Sequence, residues 1–130
     1  MRTEDPIRVV LVGTQHPGNI GSAARAMKTM GLTNLVLVAP KRYPDSEATA
    51  LAAGAVDILE QAHVVESLSE ALLGCTYVIG TSSRARAVAL PELAPRQAAE
   101  QLLVKSSGNQ VALLFGPERT GLENEDLQHC

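Results

Sequence analysis

Two kinds of segment alternate along the chain: β-branched apolar runs, and stretches whose apolar positions recur every three or four residues. Ile7–Val12 (IRVVLV) is an almost unbroken apolar run ending at Gly13, the pattern of a strand buried on both faces. Over residues 20–30 the apolar positions Ile20, Ala23, Ala24, Met27 and Met30 fall on one side of a helix. Asn19 is a suitable N-cap for that helix, and Gly31 stands where a C′ glycine would end it. Asn34–Val38 (NLVLV) reads as a second strand, stopped by Pro40. Residues 46–53 are Ala-rich and helix-prone up to Gly54, and weaker apolar stretches follow at 56–59 and 63–65. S-L-S-E at 67–70 is a capping box opening a short helix that Gly74 closes. Residues 76–79 read as a strand and 81–91 as a long polar loop. Pro95 sits where a first-turn proline precedes a helix over 96–105, Gln110–Phe115 is the last strand, and a short helix is expected from about Asn124. Strands alternating with helices at this spacing predict an α/β fold, a parallel sheet with helices on both faces.

Composition narrows the picture. The 130 residues form a single domain, and 45% apolar with 19% charged residues excludes a disordered chain. Apolar runs reach about five residues, far short of the roughly 18 that cross a bilayer. The opening MRTEDP has no apolar core of a signal peptide, so a cytoplasmic protein with no membrane partner is expected. Cys75 and Cys130 form no CxxC pair, and His16, His63 and His129 are scattered, so no metal site is expected. Tyr43, Tyr77 and Phe115 are the only aromatics, too few for a sheet that stacks single-stranded RNA bases.

The net charge of −3 hides a strong segregation. Residues 1–42 carry six basic and two acidic side chains, residues 43–80 none and six, residues 81–99 three and one, and residues 100–130 two and five. Ligands of open parallel sheets bind beyond the carboxyl ends of the strands. Three loops of unusual composition leave those ends, at 13–22, 81–91 and 116–121; Lys41, Arg42, Arg84, Arg86 and Arg119 lie near them, and Arg25 is two turns into the first helix. The pattern is compatible with one positive mouth on an otherwise acidic body, and equally with solvated arginines scattered over the surface. The loop G-T-Q-H-P-G-N-I-G-S at 13–22 matches neither a P-loop nor G-x-G-x-x-G, and its Gly18-x-x-Gly21 resembles a KH clamp only in letters. It reads either as a βα turn needing glycine or as free backbone amides at a helix N-terminus suited to an anion.

Three segments carry a family resemblance. N-I-G-S-A-A-R-A at 19–26, followed by M-K-T-M-G-L, resembles the first motif of the SpoU (TrmH-type) branch of the SPOUT RNA methyltransferases. L-F-G-P-E-R-T-G-L at 114–122 resembles the second, and G-T-S-S-R-A-R at 80–86 fits the segment between them. The T-Q-H-P-G-N-I-G opening and the terminal G-L-E-N-E-D-L-Q-H-C are most similar to members that methylate the tRNA anticodon loop just before its uridine turn, at position 32. The resemblance covers essentially the whole chain. It implies AdoMet as cofactor, a cytidine or uridine ribose 2′-hydroxyl of tRNA as acceptor, a SPOUT (Rossmann-like α/β knot) fold, and a homodimer with composite sites. Another RNA, such as ribosomal RNA, and a non-catalytic RNA-binding or dimerising module are the alternatives. The family's third motif, N-P-x-x-x-S-L-N, would begin after Cys130 and is absent from the sequence, so residues 1–130 are expected to lack the knot segment and to be inactive alone.

The resemblance also implies roles. Arg25 matches the motif arginine held to activate the 2′-hydroxyl, but a guanidinium whose pKa exceeds about 12 is a poor base, so a phosphate anchor and alkoxide stabiliser is expected. Asn19 matches the motif asparagine and would orient Arg25 as well as cap the helix. Glu118 would pair with Arg25 or Arg119. Thr81, Ser82, Ser83 and Gly116 would touch the cofactor mainly through backbone groups, and His16, Arg84, Arg86 and Arg119 would face RNA.

Overall fold

The computed structural model describes residues 6–81 and 95–117 together with Leu122, Asp126, Gln128 and Cys130. Five parallel strands, β1 (Ile7–Val12), β2 (Asn34–Val38), β3 (His63–Val65), β4 (Cys75–Gly80) and β5 (Gln110–Phe115), form one sheet in the order β3-β2-β1-β5-β4. The two longest β-branched runs take the inner positions, where both faces are covered: β2 is buried at all five positions, whereas the edge strand β3 exposes His63 and Val64. The helices are α1 (Pro17–Met30), α2 (Ser46–Ala52), α3 (Val56–Glu60), α4 (Leu68–Ala71) and α5 (Pro95–Lys105), with a 3₁₀ turn at Ala53–Ala55 between α2 and α3.

Alternation along the strands divides the core into two layers. Val9, Leu11, Leu35 and Leu37 pack against Ile20, Ala24 and Met27 of α1 and against Ala48, Ala52 and Ile58 of α2 and α3. Val10, Val36, Val38, Ala112 and Leu114 point the other way, toward Leu68 and Ala71 of α4 and toward Leu122. Each fully buried Leu or Ile contributes roughly 1.5–3 kcal/mol, so both helix layers are held mainly by burial. The expected parallel sheet with helices on both faces is thus present.

Two elements differ from the sequence reading. The first helix begins at Pro17, not after Asn19: its N-cap is His16, with extended φ −110° and ψ 115° and no side-chain cap bond. Proline's fixed φ suits the first helical position, so it starts the helix three residues early and leaves Asn19 in the third. The stretch at 56–59 belongs to a short helix, a choice that a run of four apolar residues cannot settle alone. Elsewhere the end signals act as read: Gly31 closes α1 at φ 77°, and Ser67 caps α4 by accepting the Glu70 N–H at 3.2 Å. The polar loop at 82–91 and the terminal helix, but for Asp126, Gln128 and Cys130, lie outside the described residues.

One buried charge was not singled out by the sequence. Arg8, in β1, is 1% exposed, and its Nη1 donates to the carbonyls of Ala71 (2.7 Å) and Leu73 (2.9 Å) at the end of α4. The first carbonyl ends α4 and the second lies in the turn just beyond it, so the guanidinium ties the turn before β4 to the middle of the sheet.

Candidate functional site

The strand order reverses between β1 and β5. From β1 the chain proceeds to β2 and β3 on one side, while β4 and β5 fill the other. The segment leaving β1 becomes α1 on one face of the sheet, whereas Leu122, beyond β5, is buried on the opposite face. Neighbouring loops that part to opposite faces leave a crevice at the carboxyl edge, the usual ligand site of such sheets. Both motif-bearing loops border this crevice. Gly13 follows β1 with φ 64°, and a Cβ there would lie 3.2 Å from Pro117 Cγ, so the two loops touch at their roots. Glycine is needed at 13 for both the positive φ and the close approach.

Main-chain bonds fix these roots. Gly13 N–H donates to Val38 O at 2.8 Å, and Lys41 N–H donates to Thr14 O at 3.0 Å. Thr81 is held twice, its N–H and its Oγ1 each donating to Leu114 O at 3.0 Å. Thr81 and Gly116 therefore stand at the ends of the paired strands β4 and β5, both half-buried. His16 is exposed at the head of α1. Ser82, Ser83, Arg84, Arg86, Glu118 and Arg119 lie outside the described residues.

The structure does not bring Arg25 to these loops within one chain. It is exposed on α1, eight residues beyond Pro17, or about 12 Å down a helix that runs away from the carboxyl edge. It follows Gly18 by seven residues and Gly21 by four, so it shares their flank, which faces α2. On the same side Lys28 pairs with Asp57 of α3 at 2.9 Å, and that ammonium holds the Asp57 carboxyl below its usual range. Asn19 and Arg25, six residues apart on one helix, point about 120° apart, which argues against direct orientation of one by the other.

Gly18 and Gly21 have a role that the sequence did not disclose. Neither belongs to the turn: both lie inside α1, where a Cβ on Gly21 would sit 2.1 Å from Ala48 O, and one on Gly18 would sit 2.7 Å from Leu51 Cδ1 and 2.9 Å from Glu47 Oε2. They let α2 pack directly on α1. The Glu47 carboxylate also lies close to Gly18, in the first turn of α1. The structural signal, two glycines three apart within a helical pattern, was present but had two readings.

Among the described residues no group of three or more His, Cys, Asp or Glu is placed to hold a metal ion, and no helix is long and apolar enough to cross a membrane. Cys75 is half-buried beside Arg8, and burial pushes its thiol up against the opposing pull of the guanidinium.

This geometry defines a doubly wound α/β domain in which the segments leaving β1 and β5 meet, at Gly13 and Pro117, where the strand order reverses. Residues 6–130 match the SpoU rRNA Methylase family, and the chain belongs to that family. It is 56% identical over 124 residues to the tRNA (cytidine/uridine-2'-O-)-methyltransferase TrmJ of Escherichia coli (strain K12), an alignment covering 95% of this chain and 50% of that protein. The chain thus spans about half the length of the curated relatives it matches. A probable methylase family protein from Haemophilus influenzae Rd KW20 superposes with a TM-score of 0.90 at 50% identity, covering 97% of this chain and 53% of that one. The SpoU methyltransferase AviRb from Streptomyces viridochromogenes, solved in complex with AdoMet, superposes with a TM-score of 0.66 at 19% identity over 100% of this chain and 47% of that one, a likeness of fold alone.

Proposed function

We propose that the whole protein transfers a methyl group from AdoMet to the 2′-hydroxyl of a cytidine or uridine in the tRNA anticodon loop, at position 32, and that residues 1–130 belong to its methyltransferase domain. The observation that carries this reading is the meeting of the two motif-bearing loops at the β1–β5 switch point, in a chain so similar to TrmJ. The crevice suits AdoMet in one respect: Thr81 and Gly116 border it at adjacent strand ends, and the Pro117 ring lies so close to Gly13 that a side chain there would crowd it. Backbone donors and acceptors close to the surface are what an adenosine needs. Thr81, Gly116 and, continuing from Thr81, Ser82 and Ser83 would hold the cofactor, which supplies an electrophilic methyl on a sulfonium.

Arg25 would anchor a phosphate and stabilise the oxygen as it becomes alkoxide-like, since most of the effort in such a transfer is positioning and charge stabilisation. Because one chain keeps Arg25 apart from its own crevice, a homodimer is favoured in which each protomer lends Arg25 to its partner's site, with Glu118 available to pair with Arg25 or Arg119. His16, Arg84, Arg86 and Arg119 would face the RNA, and a cytoplasmic location follows from a tRNA substrate. The family description favours ribosomal RNA as the second reading. Incubating the parent protein with labelled AdoMet and bulk tRNA separates the two. Label in a tRNA ribose is expected; label in ribosomal RNA with none in tRNA would overturn the assignment.

A further inference from the structure

The loop between β2 and α2 is clamped from four directions. Ala39 N–H donates to Val65 O (2.9 Å), Lys41 N–H to Thr14 O (3.0 Å) and Tyr43 Oη to Leu59 O (2.9 Å), while Asp45 Oδ1 accepts the Glu47 N–H at 2.9 Å. Ala39 is held at φ 46°, a conformation that non-glycine residues adopt only where their surroundings enforce it. Between these anchors Lys41 and Arg42 are both exposed, and their side chains make no ion pair or hydrogen bond among the described residues. The nearby carboxylates are directed elsewhere: Asp45 caps α2, and Glu47 lies against Gly18 of α1. Two unneutralised cations thus stand on a clamped loop tied to Thr14, in a protein of net charge −3.

We propose that Lys41 and Arg42, presented by the clamped β2–α2 loop that is tied to Thr14, form an RNA phosphate-binding subsite that extends the substrate surface across the carboxyl edge of the sheet, away from the β4–β5 loops. The proposal rests on the RNA methyltransferase reading and adds to it a second place where the RNA backbone is held. Of anionic partners, RNA is favoured because the pair lies on the same edge as the crevice. A pre-ordered loop loses little conformational freedom on binding, and phosphates are gripped by charge with no sequence choice.

The test compares the full-length protein with its Lys41→Ala/Arg42→Ala variant, and with a Lys41→Arg/Arg42→Lys variant that keeps both charges. Binding of an unmodified tRNA transcript is followed by fluorescence anisotropy over a series of KCl concentrations. Two lost phosphate contacts should lower the slope of log K against log salt by about 1.4–1.8, with affinity about tenfold weaker at low salt, while the charge-keeping variant matches wild type. The anchors of the loop are main-chain groups, Tyr43 and Asp45, so neither substitution removes one. An unchanged slope and affinity in the alanine variant overturns the subsite, even if the pair proves to bind an acidic membrane or protein. Wild-type methyl transfer to the same transcript is measured alongside: with transfer intact, an unchanged slope removes the subsite alone, whereas no transfer to tRNA removes the substrate assignment and the subsite with it.

Discussion

Replacing Gly21 by Ala should loosen the α1–α2 contact that the fold depends on. The added Cβ would lie 2.1 Å from Ala48 O and 2.9 Å from Ala52 N, against an ordinary contact that begins near 3.4 Å. The obstacle is backbone, not the tip of a flexible side chain, so α2 must retreat by about 1.3 Å. A retreat of that size forfeits half or more of the dispersion attraction across the contact, which here involves the buried Ala48 and Ala52. Overpacking of this kind costs about 3 kcal/mol, and the better helix propensity of alanine returns about 1 kcal/mol, leaving a net loss of about 2 kcal/mol. For a domain of this size that lowers Tm by about 6–10 °C. Thermal unfolding followed by circular dichroism measures it, with Gly54→Ala as the comparison. Nothing lies within 4 Å of a Cβ at Gly54, so that change should leave Tm unchanged or raise it slightly. A Gly21→Ala protein melting within about 1 °C of wild type would refute the packing argument, since the propensity gain alone cannot offset the stated clash.

Arg8→Ala should cost about 3 kcal/mol, because it deletes two charge-assisted bonds and leaves Ala71 O and Leu73 O without that donor; a urea midpoint that hardly moves would contradict the buried tie. Burial raises the Cys75 thiol, so the folded chain keeps that proton after the unfolded chain has released it. The associated stability is complete below the unfolded pKa of about 8.5 and declines as pH rises toward the higher folded value. Cys75→Ala should therefore show a shallower fall in Tm between neutral and alkaline pH than wild type, and parallel falls would exclude the effect. Arg25→Ala should abolish methyl transfer while leaving Tm within the range of a surface substitution. If the sites are composite, mixing it with a second inactive variant altered at Thr81 should restore part of the activity through mixed dimers, and no recovery would count against sharing.

Much of the frame was legible because its signals are local. The β-branched runs at Ile7–Val12 and Asn34–Val38 read as strands buried on both faces, and Gly31 and Ser67 act within a turn of where they stand. What was hidden depends on distant partners. Arg8 reads as a polar residue at a strand's start until the chain returns 63 and 65 residues later with two carbonyls for it. Asn19 looked like a cap because its side chain suits one, yet Pro17 starts the helix first. Gly18 and Gly21 carry no side chain to say whether they serve a turn, a ligand or a neighbouring helix; only the position of α2 decides it. For the site, the edge on which Thr81 and Gly116 lie followed from parallel strands, whereas the turning of Arg25 toward α2 required the helix pairing.

The bonds that root the crevice loops run almost entirely between main-chain atoms, from Gly13 to Val38, Lys41 to Thr14 and Thr81 to Leu114. Such bonds are indifferent to what most of the intervening residues carry. Most side chains on these loops can be exchanged without disturbing the sheet beneath them, so a change of ligand demands no new scaffold. The architecture separates inheritance of shape from inheritance of preference, and lets the second drift while the first is kept.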